Sequence, residues 1–159
     1  MVTTVSLEVS YGQLAVFASS LNQPFNDWTN QHVSQGFAWR PGSVSFRSMV
    51  EAGRHSIEID VIDHVGIVHR DAIRVIEVPF EIPANGALEV GSIEETVPLL
   101  LPAGSFLLRC EFLQPAGAEG ERVRLTFAKK DAPRFEVVLA DSELSVNGEL
   151  LTTAQPAPD

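Results

Sequence analysis

The 159-residue sequence predicts an all-β domain, an antiparallel β-sandwich of about eight or nine strands with one short helix. Three observations predict it. Apolar and polar residues alternate with a period of two along most of the chain, turn-forming pairs punctuate that alternation at short intervals, and only one stretch carries the chemistry of a helix start and stop. The composition, 45% hydrophobic and 20% charged, is that of an ordinary globular chain, and the length suffices for a core of its own.

The first strands are expected at 5–9 and 14–17, parted by the Tyr11-Gly12 turn. Residues 26–36 open with side chains able to accept hydrogen bonds from the free amides of a first helical turn. They close on Gly36, which can take a left-handed backbone, so two to three helical turns are expected there, with Trp28 packing them on the sandwich. Trp39 falls in a loop or strand start beside Pro41-Gly42, and a strand follows at 43–46. In 56–61, Ile57, Ile59 and Val61 share one face and Glu58 and Asp60 the other. Strands at 73–82 and 96–101 flank the Asn85-Gly86 turn. In 106–113, Phe106, Leu108, Cys110 and Phe112 oppose Arg109 and Glu111. A turn is expected at 117–120, then alternation at 123–127 and 135–139, and a last hairpin about Asn147-Gly148. The sandwich is expected to occupy 1–151. Residues 152–159, with two prolines and no core pattern, are expected to form a flexible tail.

Charge narrows the functional classes. A formal charge of -10 repels phosphate backbones and anionic lipids, so no direct nucleic-acid or membrane contact is expected, whereas a basic protein partner is favoured. No apolar run nears the roughly 20 residues that span a bilayer. The N-terminus lacks the basic and apolar segments of a secretory signal, and the single Cys110 has no intrachain partner, so a cytoplasmic address is expected.

Candidate chemistry is sparse. His64 and His69 are five apart, on opposite faces of a continuous strand, and read as a solvated hairpin tip rather than a metal site. Cys110 lies in an apolar row, where burial suppresses the thiolate and makes it core filler. Glu94 and Glu95 point to opposite faces. Glu77 and Glu81 share a face but stand about 13 Å apart, so neither pair serves acid–base catalysis. Phosphate-cradling loops and nucleophile elbows are missing. Arg109, Arg122 and Arg124 are expected to balance carboxylates such as Glu111 and Glu136 across strands. No catalysis, cofactor or metal is expected.

Residues 7–17 (LEVSYGQLAVF), Asp27-Trp28-Thr29, Gly36-Phe37-Ala38, Gly42-Ser43-Val44-Ser45-Phe46, Val78-Pro79-Phe80, 85–93 and 101–110 run in an order that resembles the competence protein J family over about residues 7–113. The resemblance implies a small, acidic, noncatalytic protein that binds and blocks a metal-dependent DNA-degrading nuclease. Such an inhibitor has a physical route: a groove that holds phosphates is cationic, so clustered carboxylates can occupy it and steer association. The expected contact residues are Glu58, Asp60, Asp63, Glu77 and Glu81 on polar strand faces, with Trp39 as an aromatic anchor. The segment after residue 113 departs from the family pattern. An alternative from another class is a small-ligand or carbohydrate-binding sandwich whose pocket is lined by Trp39, His32 and the 64–71 tip.

Overall fold

A computed structural model describes residues 2–117 and 120–158. Met1, Ala118, Glu119 and Asp159 lie outside them, and with them the middle of the expected 117–120 turn and the last tail residue. Among the described residues eleven strands build two facing sheets. The first has the order β1 (Val2–Val9), β5 (Gly53–Ile62), β10 (Glu121–Lys129), β9 (Gly104–Leu113), β6 (Ala72–Ile82) and β11 (Glu136–Leu139). The second runs β3 (Phe37–Arg40), β4 (Ser43–Arg47), β2 (Gln13–Ala18), β7 (Ala87–Gly91) and β8 (Thr96–Leu100).

The alternation explains the layers. Ile57 and Ile59, Val123, Leu125 and Phe127, and the Phe106–Leu108–Cys110–Phe112 row turn inward from the first sheet. They meet Leu14, Val16, Val44, Phe46, Leu88 and Val90 of the second. Complete burial of each such large side chain contributes about 1.5–3 kcal/mol, which makes this row-on-row contact the main cohesive term.

Two of the eleven strands, β3 and β7, are additional to those expected; β7 alternates, with Leu88 and Val90 buried, but lies between the Asn85-Gly86 turn and the Ile93 turn. The pairing is antiparallel except at one place. β10 lies parallel to β5, with Glu121 opposite His55 and Ala128 opposite Ile62, and antiparallel to β9. Strand β10 therefore joins two halves, β1–β5 and β9–β6–β11, into one sheet. The β5–β6 connection is consequently no hairpin. Ile62 ends beside Ala128 while Ala72 begins beside Leu113 at the opposite end of the sheet, so residues 63–71 run back across β10 and β9 as a strap.

The helix α1 (Asn30–Gln35) is shorter than 26–36 and is capped by Thr29, whose hydroxyl accepts from the His32 amide. Asn26 is instead a pin: its Nδ2 donates to the carbonyls of Ala38 and Ser43, and its Oδ1 accepts from Arg40 Nε. No hairpin forms at Asn147-Gly148. Residues 143–151 wrap the helix, with Ser145 N–H on the Ser34 carbonyl and the Gln35 amide exchanging both bonds with the Leu151 backbone. The segment expected to fray is also held. Asp27 N–H donates to Gln155, Ala157 N–H to Phe25, and His32 Nε2–H to the Thr153 carbonyl. Six helical residues cannot stand alone, and these polar clamps supply what an apolar stripe would otherwise provide.

Candidate partner-binding surface

The strap covers a charged patch on the outward face of the first sheet. Arg109 donates from Nε to Glu77 at 2.7 Å and from Nη1 to the Gly66 carbonyl at 2.8 Å, while Glu111 accepts the His69 amide at 2.7 Å. Arg124 lies 3.8 Å from Glu111 and 3.6 Å from Glu58, Arg122 lies 3.6 Å from Asp71, and Lys129 lies 3.9 Å from Asp63. The arginines thus balance carboxylates across strands, Glu111 among them. Glu77 is 7% exposed and belongs to the strap's foundation, not to the surface. Glu58, Asp63 and Glu81 are exposed and Asp60 is half-buried.

Trp39 is not an open anchor. Its Nε1 donates to the Pro79 carbonyl at 2.7 Å, and its ring meets Phe135 edge-on at 5.0 Å, tying the second sheet to the β6 side of the first. His32 spends both ring nitrogens inside the fold, Nδ1 accepting from Thr29 N–H and Nε2–H donating to Thr153. Trp39, His32 and the 64–71 segment therefore occupy three separate places, not one pocket. His64 is exposed, and His69 Nδ1 accepts the Asp71 amide. Among the described residues no group of three or more His, Cys, Asp or Glu is placed to hold a metal. Cys110 is fully buried, and desolvation, then the neighbouring Glu111 charge, push its thiol well above the ordinary range. No helix among the described residues is long and apolar enough to cross a membrane.

A second surface escaped the sequence reading. Tyr11 is 67% exposed with a left-handed backbone, φ 56°, and Gly12 follows at φ 65°. The turn is locked by Gly12 N–H on the Glu51 carbonyl at 2.7 Å and Ser48 N–H on the Gly12 carbonyl at 2.9 Å. It borders a cleft of about 420 Å³ whose apolar lining includes Trp28, Val33, Met49 and Val50. The β7–β8 turn lies alongside, since Ser92 Oγ donates to the Glu8 carbonyl and stands 3.4 Å from Ser10 Oγ. That turn carries Ile93, 62% exposed, between Ser92 and the exposed Glu94 and Glu95. It is closed by its own bonds, Ser92 N–H on the Glu95 carbonyl at 2.8 Å and Glu94 N–H on Ser92 Oγ at 3.2 Å, and a Cβ on Gly91 would sit 2.1 Å from that carbonyl oxygen, so only glycine fits. Glu89, Glu94 and Glu95 rim a groove of about 400 Å³ floored by Phe17 and Phe25, and no lysine or arginine among the described residues lines it. Exposed apolar residues at turns were the available signal, but alternation patterns score strands and pass over turn residues.

The sequence matches the family model for competence protein J (ComJ) over residues 6–128. The chain belongs to the competence protein J family. A DNA-entry nuclease inhibitor of Bacillus subtilis (strain 168) is 27% identical over 109 residues, covering 65% of this chain and 76% of the relative. Among solved structures, the chain is similar to ComJ from Bacillus subtilis, described as the inhibitor of the DNA-degrading activity of NucA. The TM-score is 0.67 at 19% identity, covering 82% of this chain and 99% of the other. It is also similar to crocagin biosynthetic gene J, with a TM-score of 0.59 at 15% identity, covering 82% and 98%. Both likenesses show the fold. The competence protein J match takes in the strap, the Tyr11 turn and the Ile93 turn, whereas β11, the 143–151 wrap and the tail lie beyond it.

Proposed function

We propose that this competence protein J family member is a noncatalytic inhibitor that binds and blocks a DNA-degrading nuclease in the cytoplasm. The observation that carries the reading is the family match over 6–128 together with a DNA-entry nuclease inhibitor among the relatives. Physical chemistry supports it independently. A charge of -10 suits a partner whose substrate groove must be cationic. Of the residues first expected at the contact, Glu58, Asp63 and Glu81 are exposed and Asp60 is half-buried on the sheet face, whereas Glu77 and Trp39 have tasks inside the fold.

The test is a fluorescence assay of DNA cleavage by its own organism's homologue of NucA, titrated with the purified chain. Suppression that saturates at one inhibitor per nuclease is the expected outcome. Cleavage that continues undiminished at tenfold molar excess would refute the reading.

A further inference from the structure

We infer that the adjoining Tyr11 and Ile93 turns form the principal contact for the basic partner, with Tyr11 and Ile93 as apolar anchors and Glu94 as the charge that draws the partner in. The inference rests on the nuclease reading and assigns it a surface. Three observations carry it. Tyr11 and Ile93 are large apolar residues held in water at 67% and 62% exposure on two turns that touch through Ser10 and Ser92. Both turns are tied down by hydrogen bonds, one to residues 48 and 51, the other within itself through Ser92, Glu94 and Glu95, so docking costs little ordering entropy. The carboxylates beside Ile93 are also free of cationic neighbours in their groove.

The outward face of the first sheet contrasts on that last point. There Glu58, Asp63, Asp71 and Glu77 are each within 4.0 Å of an arginine or lysine, so its field largely cancels. Around Ile93 no lysine or arginine among the described residues lines the acidic groove, and a cationic rim on the partner would meet complementary charge beside an apolar centre. That is the usual arrangement of a productive protein contact, with anchors in the middle and steering charge at the edge. Tyr11 adds a further sign: a left-handed tyrosine is strained, and glycine would hold the same turn without strain.

The experiment measures binding of the full chain to its own organism's NucA homologue by surface plasmon resonance. It compares the parent with three variants: Tyr11→Gly combined with Ile93→Ala, Glu94→Lys alone, and Glu58→Gln combined with Asp63→Asn. The first should weaken affinity at least about tenfold while melting no lower than the parent. Glu94→Lys should slow association several-fold and flatten its salt dependence, as expected of a steering charge. The sheet-face pair should stay within about twofold of the parent, since it shifts the net charge as much as Glu94→Lys but away from the two turns. Unchanged binding in the first two variants overturns this inference and leaves the nuclease reading intact. Loss confined to Glu58→Gln with Asp63→Asn overturns it in favour of the sheet face. A parent that binds no nuclease sinks both.

Discussion

Arg74 shows how a single residue can organise a sandwich core. It is 0% exposed, on the inward face of β6, and spends its guanidinium on Asp141 at 2.7 and 3.0 Å and on the Arg47 carbonyl at 2.7 Å, stacked over Phe112. Burial alone would raise the Asp141 carboxyl, yet the Arg74 hydrogen bond and charge outweigh it and hold that carboxyl below its ordinary value. Truncating one partner of such a pair strands the other. Arg74→Met should therefore cost about 3–5 kcal/mol in urea denaturation, and adding Asp141→Leu should recover part of the loss. His55 is another buried titratable group. Desolvation lowers its pKa, countered in part by its bond to the Gly53 carbonyl and by Glu121 and Glu8. The unfolded chain then binds a proton that the folded chain refuses as pH drops below the ordinary histidine value of about 6.5. Stability should fall between pH 7.5 and 5.5, with a shallower slope in His55→Leu. Alternation carries a signal for both, since Arg74 shares its face with Ile76 and Val78 and His55 shares its face with Ile57 and Ile59, but the distant groups that satisfy them are not written locally.

At the scale of elements, legibility followed the range of the interactions that set each one. Strands β5, β9 and β10 were plain from alternation because one face meets the core along their whole length. The Gly36 stop of α1 was equally plain, since a left-handed C-terminal residue has a local cause. The helix start was misplaced because Asn26 and Asp27 look like caps, whereas Asn26 answers to carbonyls on β3 and β4. The tail's bonds are just as nonlocal: its partners, His32, Asp27 and Phe25, are more than 100 residues away. A chain ending at residue 151 should therefore be less stable by about 1–3 kcal/mol, from the lost backbone and histidine bonds. Amide exchange should accelerate in α1 while β9 and β10 stay protected, and uniform acceleration would show that the tail supports more than the helix.

The whole molecule separates two kinds of charge. Arginines pair with carboxylates on the outward face of the first sheet, while no lysine or arginine among the described residues lines the acidic groove at the β7–β8 end of the second. Net charge is legible in the sequence but its placement is not, because pairing partners across a sheet depend on register and direction that no local pattern carries. The distribution predicts a kinetic signature for a basic partner. Raising salt from about 50 to 500 mM should slow association by about tenfold or more and change dissociation much less, measured by stopped flow. A salt-insensitive rate would mean that shape rather than field guides the encounter.

The parallel seating of β10 between β5 and β9 also bears on how the protein is made. During translation β5 and β9 emerge before the strand that separates them, so each waits with an open hydrogen-bonding edge until Lys129 has cleared the ribosome. A nascent chain stalled short of that point presents two apolar ribbons with no common partner, a natural substrate for chaperones and proteases.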